Sequence, residues 1–257
     1  MAEEYEVNAA AFRQMLLDQR ATRMKGGLYH VTQIHMAYNT NRIEGSTLTE
    51  DQTRFLYDTR AIDGELVLVD DVIETMNSFR MFNLMLDSLN QPLTLSRIRE
   101  YHYILKTGTK DGDNPNFTVG GWKKLANTVG GITTSAPQHV PADMQQLFAD
   151  TPEHMSFEDI CDFHWRFETI HPFQDGNGRV GRLIMFEQCL RNDIMPFVVL
   201  EQQKQFYYRG LNRYEEHPGF LRETFRNFQD AYYEKHAQYV APHRVQVDDS
   251  ARRAARP

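Results

Sequence analysis

One stretch limits what this chain can become: His171-Pro172-Phe173-Gln174-Asp175-Gly176-Asn177-Gly178-Arg179-Val180-Gly181-Arg182. Ile160, Phe163, His164 and Phe167 form an apolar stripe leading into it, and Val180, Leu183, Ile184 and Leu190 continue at helical spacing beyond it. Two helices therefore meet at a glycine-rich turn. The first N–H groups of a helix lack intrahelical partners, and the helix dipole adds partial positive charge there. Glycines on both sides of Asn177 let the backbone approach an anion without a Cβ in the way. Asn177 tolerates unusual backbone angles and brings an amide donor. Arg179 and Arg182 are three apart, so they share a helix face, and two guanidinium forks suit a polyphosphate. Asp175 stands just before the turn, where a carboxylate can hold Mg2+ against phosphate oxygens. His171 can accept a proton near neutral pH. Each residue alone has an ordinary reading, as a turn, a helix-end histidine or a surface charge. Several chemically matched residues at fixed spacing favour phosphate chemistry.

The rest of the chain narrows the class. Its 257 residues suffice for a sizeable core. A net charge of −7 argues against broad electrostatic binding of nucleic acid. Two cysteines, Cys161 and Cys189, are too few for a disulfide framework or a cysteine-based zinc site and read as reduced, buried thiols. No apolar run is long enough to span a membrane, and the first residues lack a signal-peptide core, so a soluble, cytoplasmic protein is expected.

The pattern predicts helices over 8–24 and 28–43, the second with Leu28, Val31, Ile34 and Tyr38 as its stripe and Gly45 as its C-cap. Thr49 to Gln52 reads as a capping box opening a helix whose apolar residues include Phe55 and Leu56. Residues 70–89 form a long helix whose methionines pack in the core, and Thr94 caps the next. Periodicity disappears over 109–140, where Trp122 to Val129 suggests a short hairpin bounded by Gly130-Gly131. Helices then begin at Pro141 and after Ser156. His164 lies on the apolar stripe and reads as a core histidine rather than a base. Tyr207 and Tyr208 are candidates for an adenine slot, with ordinary packing as the competing reading. Phe220 to Tyr239 forms the last helix, and Asp248 to Pro257 a solvated tail.

Residues 171–182 resemble the Fic-family motif, His-x-Phe-x-(Asp/Glu)-Gly-Asn-Gly-Arg-x-x-Arg, at every defined position. Most characterised members of that family move AMP from ATP onto a protein hydroxyl. The resemblance implies that His171 is the general base and that Asp175 binds Mg2+. It implies that Gly176, Asn177, Gly178, Arg179 and Gly181 line the phosphate site and that Arg182 reaches the γ-phosphate. Thr40-Asn41-Arg42-Ile43-Glu44-Gly45 is similar to the family's inhibitory motif, (Ser/Thr)-x-x-x-Glu-(Gly/Asn). In that likeness Glu44 pairs with Arg182 and Thr40 helps fix the helix. The segment after residue 121 corresponds to a flap, with Lys124, Leu125, Ala126 and Asn127 as neighbours of nucleotide or target.

These readings predict an all-α fold, a Fic-type helical domain with a small β-hairpin flap and an N-terminal helical extension. Residues 1–90 carry the inhibitory helix (about 28–45), 91–240 the catalytic core and 241–257 a C-terminal tail. The expected activity is protein adenylyltransfer from ATP with Mg2+ to a Ser, Thr or Tyr hydroxyl, this chain's own included, restrained by Glu44. Removal of AMP using Glu44, a nucleotide-sensing interaction module, and transfer of UMP or GMP stay open as alternatives. Neither nucleic acid nor membrane is expected as a partner, and a homodimer is compatible with the sequence.

Overall fold

The computed structural model describes residues 5–6, 8–64, 66–129, 132–240 and 243–244. The helices in order are α1 (Ala9–Thr22), α2 (Leu28–Ile43), α3 (Glu50–Thr59), α4 (Val69–Asp87), α5 (Leu95–Lys106), α6 (Val140–Ala149), α7 (Phe157–Ile170), α8 (Asn177–Arg191), α9 (Lys204–Asn212) and α10 (Gly219–His236). Side-chain caps set several starts. Thr49 and Gln52 exchange the two hydrogen bonds of a capping box before α3, as Ser156 and Asp159 do before α7. Thr94 accepts from the Arg97 N–H at the start of α5. Gly45, at φ +100°, follows Glu44 at the end of α2, a left-handed position that a residue with a Cβ rarely occupies.

The fold is all-helical, and α8 is its centre. Every residue of α8 from Asn177 to Leu190 is buried, and α1, α2, α4, α5 and α7 pack around it. Phe82, Phe173, Phe186, Phe225 and Phe228 fill the core beside it. Cys161 and Cys189 are free and buried.

The long helix α4 ties the N-terminal part to the rest. The Asp71 carboxylate accepts from both the backbone N–H and the hydroxyl of Thr47, each at 2.7 Å, just past the end of α2. Ser78 Oγ accepts from Asn41 on α2 at 3.1 Å. Asn77 donates to the carbonyls of Leu105 and Thr107, at 3.0 and 2.9 Å, closing the end of α5. Buried polar groups of this kind are costly unless paired, so the three contacts hold α4 in one register against its neighbours.

Four expectations need correction or refinement. The stripe on α2 is not its only buried face. Thr32, Gln33, His35, Asn39, Thr40 and Asn41 are buried too, while Val31 and Tyr38 are half-exposed, because the helix runs between α1, α3, α4 and α8. Phe55 is exposed and Leu56 alone of that pair is buried, since α3 offers the core a narrow face. The hairpin sits later than Trp122 to Val129: β2 (Thr128–Val129) pairs antiparallel with β3 (Ile132–Thr133). Gly130-Gly131 lies outside the described residues. The segment beyond residue 240 is not all tail. In it β4 (His243–Arg244) pairs antiparallel with β1 (Tyr5–Glu6). The stretch 248–257 lies outside the described residues.

Candidate active site

The site is built where α7 ends and α8 begins. His171 terminates α7 with a left-handed backbone (φ 51°). Its Nδ1 lies 3.3 Å from the Glu168 carbonyl. A carbonyl only accepts, so the neutral ring carries its proton on Nδ1 and leaves the Nε2 lone pair available. Burial lowers the imidazole to about 4, against the pull of the Glu168 carbonyl, so it is neutral at pH 7.

The turn itself is clamped from within. Phe173 donates its N–H to Asn177 Oδ1 at 2.8 Å, and Asn177 Nδ2 returns a bond to the Phe173 carbonyl at 2.9 Å. The amide expected to meet a phosphate is therefore committed to closing the loop. Phe173 is buried and stacks on His102, with ring centroids 4.0 Å apart and an interplanar angle of 7°. His102 Nδ1 accepts from the Gly120 N–H at 3.0 Å, so its Nε2–H donates to the Asp175 carbonyl at 3.1 Å. Gly176 caps α8 at φ +84°, another left-handed position.

Glu44 reaches this turn from α2. Its carboxylate accepts from Arg182 Nη2 at 2.6 Å. Thr40 completes the grip: its hydroxyl accepts from Arg182 Nε at 2.8 Å and its carbonyl from Nη2 at 3.2 Å. Arg182 is only 2% exposed, whereas 27% of the Glu44 side chain is open. A Cβ on Gly178 would stand 2.2 Å from Glu44 Oε1, so the carboxylate rests on the first turn of α8, where the helix favours an anion. Burial would lower the Arg182 guanidinium, but Glu44 overrides it and keeps the group charged.

The two arginines share a face of α8 but serve different partners. Arg179 pairs with Glu74 on α4 and, at 2.9 Å, with Asp175 Oδ2. Asp175 Oδ2 also takes Lys106 Nζ at 2.6 Å. Burial would raise the Asp175 carboxyl, but Arg179 and Lys106 hold it well below the usual carboxylate range. Oxygens of Glu74, Asp111 and Asp175 all lie within 4.8 Å of one another. Lys106 sits among them, but half of the Asp175 side chain remains exposed at the turn, where a carboxylate oxygen fits Mg2+.

A polar layer underlies the pocket floor. Tyr207 is buried, with its hydroxyl 2.9 Å from His164 Nε2 and its ring under the Arg182 guanidinium at 5.8 Å. Tyr208 is half-buried beside it. His164 is fully packed, as a core histidine. Gly181 faces α7, where a Cβ would stand 2.6 Å from Glu168 Oε1 and 3.0 Å from the Phe167 ring, so it serves helix packing. On the flap side, Lys124, Leu125 and Ala126 are exposed, and the Leu125 N–H donates to Gln174 at 3.1 Å. Asn127 instead donates to the Phe173 carbonyl at 3.2 Å and accepts from Lys123 Nζ at 2.8 Å. Lys123 also donates to Thr134 Oγ1 at 2.7 Å and the Ile170 carbonyl at 3.1 Å, and burial lowers its ammonium to about 8.

Glu74, Lys106, Asp111, His102, Lys123 and Glu168 escaped the sequence reading. No local pattern marks them, because each acts on a partner from another element. Glu168 allows a direct test. Its side chain is 9% exposed, and Oε1 lacks a partner among the described residues. Burial pushes the carboxyl from its ordinary 4.5 up to about 8, despite Arg182 nearby. The folded state thus holds this proton more tightly than the unfolded chain. The stability it brings is full below about pH 4.5 and is lost as pH rises towards 8. Glu168→Gln cannot ionise, so its Tm relative to wild type should climb between pH 5 and 8, by about 2–4 °C per kcal/mol recovered. A Tm difference constant across that range would show the carboxylate ionised throughout.

These features define a helical protein in which a glycine turn opens a buried helix, with a neutral histidine beside it and a carboxylate resting on its first turn. Residues 92–189 of the chain match the model of the Fic/DOC family. The chain is 27% identical over 183 residues to Protein adenylyltransferase Fic of Nematostella vectensis, covering 68% of this chain and 42% of that protein. The protein of the same name from Drosophila virilis is 31% identical over 183 residues, with 68% and 36% covered. The chain thus spans well under half the length of these curated relatives. In fold it is similar to the crystal structure of a Fic domain containing signaling protein from Bacteroides thetaiotaomicron VPI-5482. The TM-score is 0.65 at 21% identity, over 89% of this chain and 95% of that one.

Proposed function

We propose that this chain transfers AMP from ATP to a Ser, Thr or Tyr hydroxyl of a protein, and that Glu44 holds the reaction off. The observation that carries this reading is the grip on Arg182, a buried guanidinium at the phosphate-binding helix start whose donors are taken by Thr40 and Glu44. The relatives named as protein adenylyltransferases support it as well.

In this mechanism the phosphates lie over the first turn of α8, where Gly176, Gly178 and Arg179 bound the site. His171 Nε2 accepts the proton of the target hydroxyl as its oxygen attacks the α-phosphorus, and the bond from that phosphorus to the oxygen bridging to the β-phosphate breaks, so that pyrophosphate leaves. Asp175 would hold Mg2+, which supplies neutralisation of charge on the phosphate oxygens. Arg182 is reserved for the γ-phosphate, and while Glu44 occupies it the nucleotide cannot settle with its α-phosphorus in line with the hydroxyl. Such transfers depend on positioning, so a displaced phosphate silences the reaction without any change at His171. Tyr208, half-buried beside Tyr207, borders the slot proposed for adenine. Exposed Leu125 and its neighbours are the surface proposed for the target segment.

We also propose that residues 1–90 act as the restraining part and 91–240 as the catalytic part, in a cytoplasmic protein that binds neither nucleic acid nor membrane. No described helix is long and apolar enough to cross a membrane.

The test uses Glu44→Gly protein with Mg2+ and ATP labelled either at the α- or at the γ-phosphate. AMP transfer puts α-label and no γ-label on protein. Label from the γ-position would mean phosphate transfer. Tight ATP binding without either label would leave a nucleotide-sensing module.

A further inference from the structure

Three carboxylates converge on one ammonium beneath the phosphate turn. Lys106 Nζ lies 2.5 Å from Glu74 Oε1 and 2.6 Å from Asp175 Oδ2, and it pairs with Asp111 as well. The three acids come from α4, from the 3₁₀ turn at 110–113 and from the motif turn. The spacing of their oxygens, all within 4.8 Å, is one that a shared divalent cation could span. An ammonium sits among them instead, on a side chain only 2% exposed.

Lys106 is itself held in place. Asn77 grips the carbonyls of Leu105 and Thr107 on either side of it, and Thr109 Oγ1 donates to the Lys106 carbonyl at 2.9 Å. Arg179 adds the second cation, bridging Glu74 and Asp175. Both cations meet Asp175 on the same oxygen, Oδ2. The opposite carboxylate oxygen is in neither ion pair.

From this arrangement we propose that Lys106 is the positioning residue of the metal-binding carboxylate. It fills the cation place in the three-acid cage and commits Oδ2 of Asp175. That leaves one oxygen for a single divalent cation, which takes the rest of its shell from nucleotide and water. The proposal rests on the reading of Asp175 as the Mg2+ ligand. It adds that the protein has almost no affinity for the metal until a nucleotide brings it.

Mn2+ is the probe, and its free signal in electron paramagnetic resonance reads occupancy without any transfer assay. The full chain is compared as wild type, Lys106→Met and Lys106→Met/Asp111→Asn, with and without ATP. The wild type is expected to take up Mn2+ only with ATP, one ion per nucleotide. Lys106→Met opens the cage and is expected to bind Mn2+ without ATP at least about tenfold more tightly than wild type. Adding Asp175→Ala to that variant should remove the new binding. The double variant carries one carboxylate fewer, which guards against misfolding from three facing acids. It is expected to bind more weakly than Lys106→Met and more tightly than wild type. Folded variants that match the wild type would overturn the proposal, and so would tight Mn2+ binding by the wild type alone. If the metal behaves as expected but no protein is ever labelled, the transfer reading fails and the Lys106 assignment stands. If label is transferred while metal binding is unchanged in the variants, the transfer reading stands and the Lys106 assignment fails.

Discussion

Glu44→Gly is expected to raise AMP transfer by about 10- to 100-fold over wild type at matched ATP–Mg2+. The figure follows from the contact removed. A charge-assisted hydrogen bond to a buried guanidinium is worth about 1.5–3 kcal/mol, and each 1.4 kcal/mol shifts an equilibrium tenfold. Arg182 keeps its bonds to Thr40, so the guanidinium stays near its present position once the carboxylate is gone. The shortened side chain also clears the first turn of α8, where Glu44 Oε1 now rests against Gly178. Initial rates of α-label incorporation measure the effect. Equal rates for variant and wild type would remove the inhibitory role from Glu44. The gain should appear in the rate more than in nucleotide affinity, because the misplaced phosphates are bound in either case.

His171→Ala, made in the Glu44→Gly background, is expected to lower transfer by about 10²–10⁴-fold. The pH profile separates loss of a base from general damage. A histidine lowered to about 4 is already neutral at pH 6, so the rate of Glu44→Gly should stay flat between pH 6 and 8. It should fall only as pH approaches 4, where the ring takes a proton and can no longer accept one. An acid limb centred near 6.5 would mean an imidazole with an ordinary affinity for protons. A residual rate in His171→Ala within tenfold of its parent would assign the base elsewhere. His164 is a poor substitute, since both of its ring nitrogens already face the Tyr207 hydroxyl and the Gly181 carbonyl.

What could be read from the sequence was local. The limits of α2, the capping box at Thr49 and the helix start after Ser156 all follow from neighbours a few residues away. The hairpin was misplaced because a glycine pair marks a turn and a boundary equally well, and only strand pairing decides which. Asn177 shows a second limit. Its position in the turn was legible, but its two bonds to Phe173 depend on a loop closing that no spacing reveals. Glu74 shows the third. On a helix surface it resembles any solvated charge, and its partners Lys106 and Arg179 lie 32 and 105 residues away. The long-range charge pairs around Asp175 are therefore a property of the packed molecule.

The helix α4 holds the end of α2 through Asp71 and Ser78, and the charges around the phosphate turn through Glu74. On the proposed reading, restraint and chemistry thus share one beam. Cutting the chain ahead of residue 91 to set the enzyme loose would discard Glu74 and Asn77 along with Glu44. Lys106 and Arg179 would then lose a counter-charge, and the far end of α5 its clasp. A point change at residue 44 and a deletion that includes it are different operations on this molecule, and on the proposed reading only the point change frees Arg182 while keeping Glu74 and Asn77 in place.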